Sequence, residues 1–336
     1  MSTAAPWIAQ QRDALLAQRG HAWLLQGPSG LGQYSLGLEL AQAWLCQQPS
    51  ASGACGHCVS CHAIAVRTHA DLCVLMPETV MLELGWPLSE KAQKDIDDKK
   101  RKASREIRVD AMRDAIEFSQ RTSARGRGKV VLVYPAERMN HVTANALLKT
   151  LEEPPGEVRF VLGSEAAHQL LPTIRSRCLG HTMSWPQAAQ SVEWLQGQGL
   201  QPADATVLLR AAGGRPEDAL QLSQSGMDAQ RWRQLPKALA RGDGTGLGDW
   251  TPARTVDALQ RLCHDLMSVG AGGEPRFFDT ADLPSAGSRQ VLARWARELT
   301  RTARTVEHPF NAGLLLEALV SQARSALNSR PSTPIP

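Results

Sequence analysis

The sequence predicts an α/β domain with a parallel sheet, followed by an all-helical region. Short apolar runs typical of buried strands alternate with segments of helical periodicity over roughly the first 180 residues. Beyond Trp185 the apolar residues recur at helical spacing between glycines and prolines, and no strand is predicted. A length of 336 residues agrees with two or three domains.

The predicted elements follow one another in a regular order. The first strand, Ala22–Gln26, ends in a glycine-rich turn, and a helix follows from Tyr34 to Cys46. Alternating strands and helices of this kind form a parallel sheet that is covered on both faces. Later strands are predicted at Asp71–Met76, Lys129–Val133 and Arg159–Leu162, and helices at Val109–Gln120 and Asn140–Glu153.

Composition and charge exclude several classes of function. The net charge of +4 is too small for a polycation that coats nucleic acid by itself, so any DNA contact is expected to be local. Aromatic residues make up 5% of the chain, which argues against a sheet that stacks bases. No apolar run has the length of a membrane span and no signal peptide is recognised, so we expect a cytoplasmic protein without membrane contact.

The strongest chemical signal is a cluster of four cysteines: Cys46, Cys55, Cys58 and Cys61. In a reducing compartment, two adjacent CxxC pairs indicate a metal site before they indicate disulfides. Four thiolates fill the tetrahedral shell of a structural Zn²⁺ and leave no open position for water. Two alternatives stay open: unliganded thiols, and His57 or His62 as a substitute ligand.

The glycine-rich turn has the spacing of a P-loop, GxxxxGK[ST], with Gly27 and Gly32 at the glycine positions. A working loop needs a lysine for the β and γ phosphates and a hydroxyl for Mg²⁺, whereas this chain has Gln33 and Tyr34. The glycines could still cradle a phosphate with backbone N–H groups, although only weakly. We therefore expect no functional ATP site and no ATP cofactor.

An ATPase of this type also needs a carboxylate at the end of a buried strand. After Lys129–Val133 the chain has Tyr134 and Pro135, neither of which can ligate Mg²⁺. Glu137 is interpreted as a surface carboxylate, and the alternative is a shifted replacement for the missing acid. Loss of three parts of one catalytic site together favours a site that is no longer used.

Residues 77–105 form a predicted insertion, and its part from Lys91 to Arg105 carries seven basic and three acidic residues. With almost nothing apolar it cannot bury a face, so a mobile, solvated segment is expected. The alternative is sequence-independent contact with the phosphates of primer-template DNA.

Two further motifs carry a family resemblance. Residues 145–155, NALLKTLEEPP, resemble the signature helix of the bacterial clamp-loader subunits, which are AAA+ proteins. Residues 173–178, TIRSRC, resemble the SRC motif of that family. With the glycine-rich turn and the cysteine cluster, four signals occur in the order of the clamp-loader AAA+ domain, and the resemblance covers about residues 1–225.

Within that family the resemblance implies the pattern of delta-prime, which keeps the SRC arginine and has lost its own nucleotide chemistry. Arg177 would be an arginine finger that reaches a neighbouring subunit's γ-phosphate, with Ser176 orienting the turn and Arg175 as second choice. The bland alternative for Arg177 is a surface salt bridge. Glu217 stands where the motor subunits carry a nucleotide-sensing arginine, with Arg215 as a possible stand-in.

The resemblance implies three domains: an AAA+ α/β domain over residues 1–184 with a zinc module at 46–61, a helical lid at 185–226, and a helical collar at 227–330. Residues 331–336 would be a disordered tail. The implied function is a non-catalytic stator of the DNA polymerase III clamp loader. Its partners would be the motor subunits gamma and tau, the delta subunit, the sliding clamp, and primer-template DNA contacted weakly through the complex. Two alternatives are an ATP-hydrolysing motor of the gamma/tau type and a zinc-dependent nucleic-acid-binding module.

Overall fold

A five-stranded parallel sheet lies at the centre of the first half of the chain in the computed structural model, which describes residues 5–50, 53–248, 250–285, 287–306 and 311–329. The strand order is β2-β3-β4-β1-β5, and every pairing is parallel. The prediction of an α/β domain is confirmed. The strands are β1 (Ala22–Gln26), β2 (Leu72–Leu75), β3 (Lys129–Val133), β4 (Val158–Ser164) and β5 (Leu179–Thr182).

Eight α-helices belong to this unit, residues 1–186, within its described part. The predicted helix at 109–120 is confirmed, and the helix expected at 140–153 is present with Asn140 as its N-cap, whose side chain accepts a hydrogen bond from the Thr143 N–H. The helices are α1 (Pro6–Leu16), α2 (Gln33–Leu45), α3 (Val59–Ala65), α4 (Glu78–Glu83), α5 (Glu90–Asp97), α6 (Val109–Gln120), α7 (His141–Glu152) and α8 (Pro172–Arg175).

The core lies between the sheet and its helices. All five residues of β3 are buried, as expected for a central strand covered on both faces. Helix α2 approaches the sheet closely at Gly37, where an added Cβ would lie 2.6 Å from Leu132 Cδ1. This close packing fixes the start of α2, and with it the glycine-rich turn, at the carboxyl end of β1.

Two parts of this unit differ from expectation. Strand β5 was not predicted, because it is an edge strand that pairs with β1 alone and is mostly exposed. Residues 91–105 are largely exposed, as expected, but they include α5, which begins at the Ser89 cap. Arg101 donates to both carboxylate oxygens of Glu78, so this segment is tied to α4 by an ion pair.

The second unit, residues 187–336, is helical throughout its described part. One hydrophobic core runs from Leu195 to Leu327 and includes Trp232 and Trp295. The expected division at residue 226 stays a prediction, and the expected tail at 331–336 lies outside the described residues. The helices are α9 (Ala188–Gly197), α10 (Pro202–Ala211), α11 (Pro216–Gln224), α12 (Ala229–Arg241), α13 (Pro252–Gly270), α14 (Arg289–Thr305) and α15 (Ala312–Leu327).

Within the described ranges, no helix combines the length and the apolar character that a membrane crossing requires.

Candidate functional site

The four predicted cysteines converge on one point. The Sγ atoms of Cys46, Cys55, Cys58 and Cys61 all lie within 4.8 Å of one another. Five of their separations are 3.5, 3.9, 4.0, 3.5 and 3.7 Å. Thiolates at the corners of a tetrahedron about 2.3 Å from a zinc ion lie about 3.8 Å apart. The cluster therefore has the dimensions of a tetrahedral metal site.

Local structure explains why the four thiols meet. Cys46 ends α2, Cys58 is the N-cap of α3, and Cys61 lies in the first turn of α3. The Cys55 N–H donates to Cys46 Sγ at 3.3 Å, and the Cys61 N–H donates to Cys58 Sγ at 3.5 Å. Gly56 adopts a φ of 79°, which turns the chain between the pairs and which other residues rarely adopt. Burial opposes ionisation of Cys58, but N–H groups aimed at its sulfur lower its pKa to about 6, whereas burial and Cys58 raise the pKa of Cys61 to about 12.

The two histidines beside the cluster do not join it. His57 is exposed, and its Nδ1 lies 2.8 Å from the carbonyl oxygen of Cys55. His62 is also exposed, on α3. Within the described residues, the group that could hold a metal consists of the four cysteines.

The side chain of Gln33 folds back onto the glycine-rich turn between β1 and α2. Gly30 and Gly32 have φ angles of 74° and 95°, in the left-handed region that glycine tolerates. Gln33, the first residue of α2, is 1% exposed. Its Nε2 donates to the carbonyl oxygens of Gly27 at 2.7 Å and Pro28 at 2.8 Å. The amide thus turns back onto the loop and satisfies oxygens of the loop itself.

Tyr34 lies in an aromatic group at the same edge of the sheet. Its ring centroid is 5.7 Å from that of Tyr134, at the end of β3. Trp86, from the predicted insertion, is buried and donates from Nε1 to the Tyr34 hydroxyl at 2.7 Å. Burial raises the pKa of the Tyr34 phenol above its ordinary value, so the group is neutral at physiological pH.

Two carboxylates lie at the carboxyl ends of β3 and β4. Glu137 Oε2 accepts from the Ser164 hydroxyl at 2.7 Å, and its Oε1 accepts from the Glu165 N–H at 3.1 Å. Glu165 accepts from the Tyr134 hydroxyl at 2.6 Å. Glu137 was expected on the surface, but it is partly buried and caps the end of β4.

A buried ion pair links the amino-terminal ends of β2 and β3. Asp71 is fully buried and accepts from the backbone N–H groups of Ala124 at 2.7 Å and Arg125 at 2.9 Å. Lys129 Nζ lies 3.2 Å from Asp71 and 4.0 Å from the ring centroid of Phe118. Burial alone would raise the pKa of Asp71, but these hydrogen bonds and Lys129 outweigh it and lower the pKa.

A chain of hydrogen bonds joins this ion pair to α3, which is capped by Cys58 and contains Cys61. His69 Nε2 lies 3.1 Å from the Ser60 hydroxyl on α3, and the Asp71 N–H donates to His69 Nδ1 at 3.0 Å. The cysteine cluster is therefore anchored to the sheet through polar groups as well as through apolar packing.

Arg177 lies in the turn that follows α8. Its Nη2 and Nε donate to Glu152 of α7 at 3.0 and 3.3 Å, and Nη1 donates to the carbonyl oxygen of Thr173 at 3.1 Å. The Arg177 side chain is 29% exposed and that of Glu152 is 59% exposed. Ser176 donates to the same Thr173 oxygen at 3.2 Å, and its role in orienting the turn stays a prediction. Arg175 is exposed.

Comparison with known proteins identifies the family. A family model described as DNA polymerase III, delta subunit, matches residues 9–185. A DNA polymerase III subunit delta' from Pseudomonas aeruginosa is 35% identical over 333 residues, which span 91% of this chain and 92% of that protein. The chain belongs to the delta-prime family of DNA polymerase III subunits. The resemblance inferred from residues 145–155 and 173–178 is confirmed.

Two Escherichia coli subunits of DNA polymerase III are also similar to this chain. Subunit delta' is 36% identical over 251 residues, or 73% of this chain and 67% of that protein. Subunit tau is 30% identical over 262 residues, or 76% of this chain and 35% of that protein.

In this delta-prime chain the predicted site residues form separate groups. One is the cysteine cluster, a second is Gly27, Gln33 and Tyr34 at the sheet edge, and a third is Arg177 beside Glu152. Sequence reasoning missed Trp86, which contacts Tyr34 from 52 residues away, because no local pattern marks such a contact. In the helical unit, Arg215 is paired with Asp218 at 2.6 Å.

Proposed function

We propose that this delta-prime family member is a non-catalytic stator of the DNA polymerase III clamp loader. It holds a structural Zn²⁺, it does not hydrolyse ATP at its own glycine-rich turn, and it supplies Arg177 to the ATP site of a neighbouring motor subunit. Residues 185–226 act as a lid and 227–330 as a collar that joins the gamma or tau and delta subunits. The assembly loads the sliding clamp onto primed DNA in the cytoplasm.

The conformation of Gln33 carries the proposal of an inactive ATP site. A P-loop binds triphosphate through free backbone N–H groups, a lysine ammonium and a Mg²⁺ ligand. In this chain a neutral amide lies on the loop carbonyls, and a neutral phenol follows it. The side chains at the nearby strand ends are the phenol Tyr134 and the carboxylates Glu137 and Glu165. No ammonium takes the place of the P-loop lysine among these groups, and Arg67, a cation beside Tyr34, lies over the ring of Trp86.

The pairing of Arg177 supports a role in trans. Exposed ion pairs contribute only about 0–1 kcal/mol, so releasing Arg177 from Glu152 costs little. A planar guanidinium can then bind two phosphate oxygens at once, which an ammonium cannot do. Arg177 is therefore available to a phosphate that a neighbouring subunit presents, while Glu152 holds the side chain at the surface until then.

The donor set supports zinc as the metal. Four thiolates are soft ligands that select Zn²⁺ or iron–sulfur chemistry over Mg²⁺ or Ca²⁺. A closed shell of four protein ligands serves structure, because it leaves no position for a substrate or for water. The cluster would thus fix α2 to α3.

The arginine finger is tested with Arg177→Ala in the reconstituted complex. We expect the variant to assemble normally and to keep its unfolding temperature. The rate of single-turnover ATP hydrolysis at one site should fall by as much as about 10³-fold. Arg175→Ala is the matched control, because it removes an exposed arginine two residues away from the same turn. Arg177→Lys should not restore the rate, since it keeps the charge and loses the planar fork. Normal hydrolysis at every site, or the same loss in the control, would remove Arg177 from this role.

Measurements on the isolated chain distinguish the stator from an ATP-hydrolysing motor. Micromolar binding of Mg·ATP with turnover by the purified wild-type protein would favour a subunit of the gamma/tau type. Absence of both, together with the Arg177→Ala effect in the complex, supports the stator.

A further inference from the structure

Helix α14 carries a row of exposed arginines. Arg294, Arg297, Arg301 and Arg304 are spaced by three, four and three residues, and all four are exposed. At about 100° per residue they fall within about 80° of the helix circumference and extend about 15 Å along its axis. These four residues make up the arginine stripe. They form one continuous cationic face.

Among the residues that the structure describes, the stripe has no neutralising partner. In the part of the chain that the structure describes, none of its four guanidinium groups has a hydrogen bond or an ion pair. Glu298 is the one carboxylate in the α14 sequence, at the margin of the stripe, and among the described residues it makes no ion pair with these arginines. In contrast, Arg289 at the start of the helix donates to the carbonyl oxygen of Gly270.

We propose that the arginine stripe binds the phosphate backbone of duplex DNA. A duplex carries about one negative charge per 1.7 Å of its axis, so about nine phosphates lie along the 15 Å of the stripe. Guanidinium groups match phosphate oxygens in pairs, and the stripe contains arginine throughout. This contact is local and independent of base sequence, which agrees with a whole-chain charge of only +4.

The other occupants fit less well. Single-stranded nucleic acid is bound on stacking aromatic side chains, but Trp295, the aromatic residue of α14, is 2% exposed. The buried centre of a protein interface is usually more apolar than the rest of the surface, and within the described residues the exposed large hydrophobic side chains all lie outside α14. A rigid row of cations without apolar or aromatic groups therefore fits a rigid duplex best.

The inference goes beyond the proposed function, because it does not depend on Arg177 or on the glycine-rich turn. It also differs from the DNA contact considered for residues 91–105. There Lys100 is paired with Asp98, and Arg101 with Glu78 and Asp95.

The test measures binding of the full-length chain to a fluorescent duplex of random sequence by anisotropy, between 50 and 200 mM salt. Four phosphate contacts give a slope of log K against log salt of about −3.6, so wild-type affinity should fall about 150-fold over this range. Arg297→Gln/Arg301→Gln should have a slope near −1.8 and fall only about 12-fold. The charge-matched control is Arg19→Gln/Arg233→Gln, since both are exposed arginines outside α14.

The outcomes are distinct. A reduced slope in the stripe variant, with the control equal to wild type, supports the proposal. Equal slopes in both variants overturn it, and so does tighter binding to a single strand than to the duplex. If the stripe variant keeps its DNA slope and instead fails to assemble with the other subunits, the stripe is a protein contact and the proposal is wrong. Arg177→Ala should leave the DNA slope unchanged, so the two proposals can fail separately.

Discussion

Replacing Cys58 with serine should remove most of the metal affinity of the cysteine cluster. Structural zinc sites in small domains bind with about 10–16 kcal/mol of apparent free energy, which corresponds to about 2.5–4 kcal/mol for each of four thiolates. At 1.4 kcal/mol per factor of ten, the loss of one thiolate weakens binding by about 10²- to 10³-fold. Cys58 Sγ is 3.5 Å from Cys61 Sγ and 3.9 Å from Cys46 Sγ, so it belongs to the shell by distance.

The assay is zinc content followed by competition with a chromophoric chelator. Wild-type protein should contain about one zinc per chain, and chelation should lower its unfolding temperature, because the ion ties α3 to the end of α2. Cys73→Ser is the matched control, since Cys73 is a partly buried thiol of β2 outside the cluster. If wild-type protein purified without chelators holds no zinc, or if Cys58→Ser and Cys73→Ser bind it equally, the four thiols are not a metal site.

Three further predictions concern buried polar groups. Asp71→Ala should lower the free energy of unfolding in urea by about 3–5 kcal/mol, because Lys129 is left buried without its partner. Adding Lys129→Met to that variant should recover part of the loss. A loss under about 1 kcal/mol for Asp71→Ala would contradict this prediction. Because the pKa of Asp71 is lowered in the folded state, the Asp71 carboxylate stabilises the fold above about pH 4, and this stabilisation is lost as the pH falls below that value. If the urea midpoint of Asp71→Asn declines with falling pH as much as that of the wild-type protein, the prediction is contradicted. Gln33→Ala should cost about 1–3 kcal/mol, since the carbonyls of Gly27 and Pro28 lose their donor, and an unchanged midpoint would refute that role.

Local signals account for the parts of the fold that were predictable. Strand β3 is a continuous apolar run with polar and glycine residues before it, and α7 begins at an asparagine cap and ends before two prolines. The cysteine cluster was equally accessible, because its four ligands lie close together in sequence and two short turns bring them together.

The parts that could not be predicted depend on contacts between distant segments. Strand β5 has one neighbouring strand and none of its four residues is buried, so its sequence shows little alternation. Trp86 contacts Tyr34, and Glu152 pairs with Arg177, although 52 and 25 residues separate them. The arginine stripe could have been found from its spacing in sequence, since positions 294, 297, 301 and 304 follow the helical repeat.

The glycine-rich turn has a structural role that does not depend on nucleotide binding. Its glycines join the interior strand β1 to α2, and α2 must approach the sheet closely enough that Gly37 touches Leu132. A lysine at position 33 would bring a buried ammonium that needs a phosphate to neutralise it, and without nucleotide that charge would destabilise the fold. Gln33 carries no charge, and its side-chain amide donates to the carbonyl oxygens of Gly27 and Pro28. The substitution thus stabilises a subunit whose part in ATP hydrolysis is proposed to lie elsewhere, at Arg177.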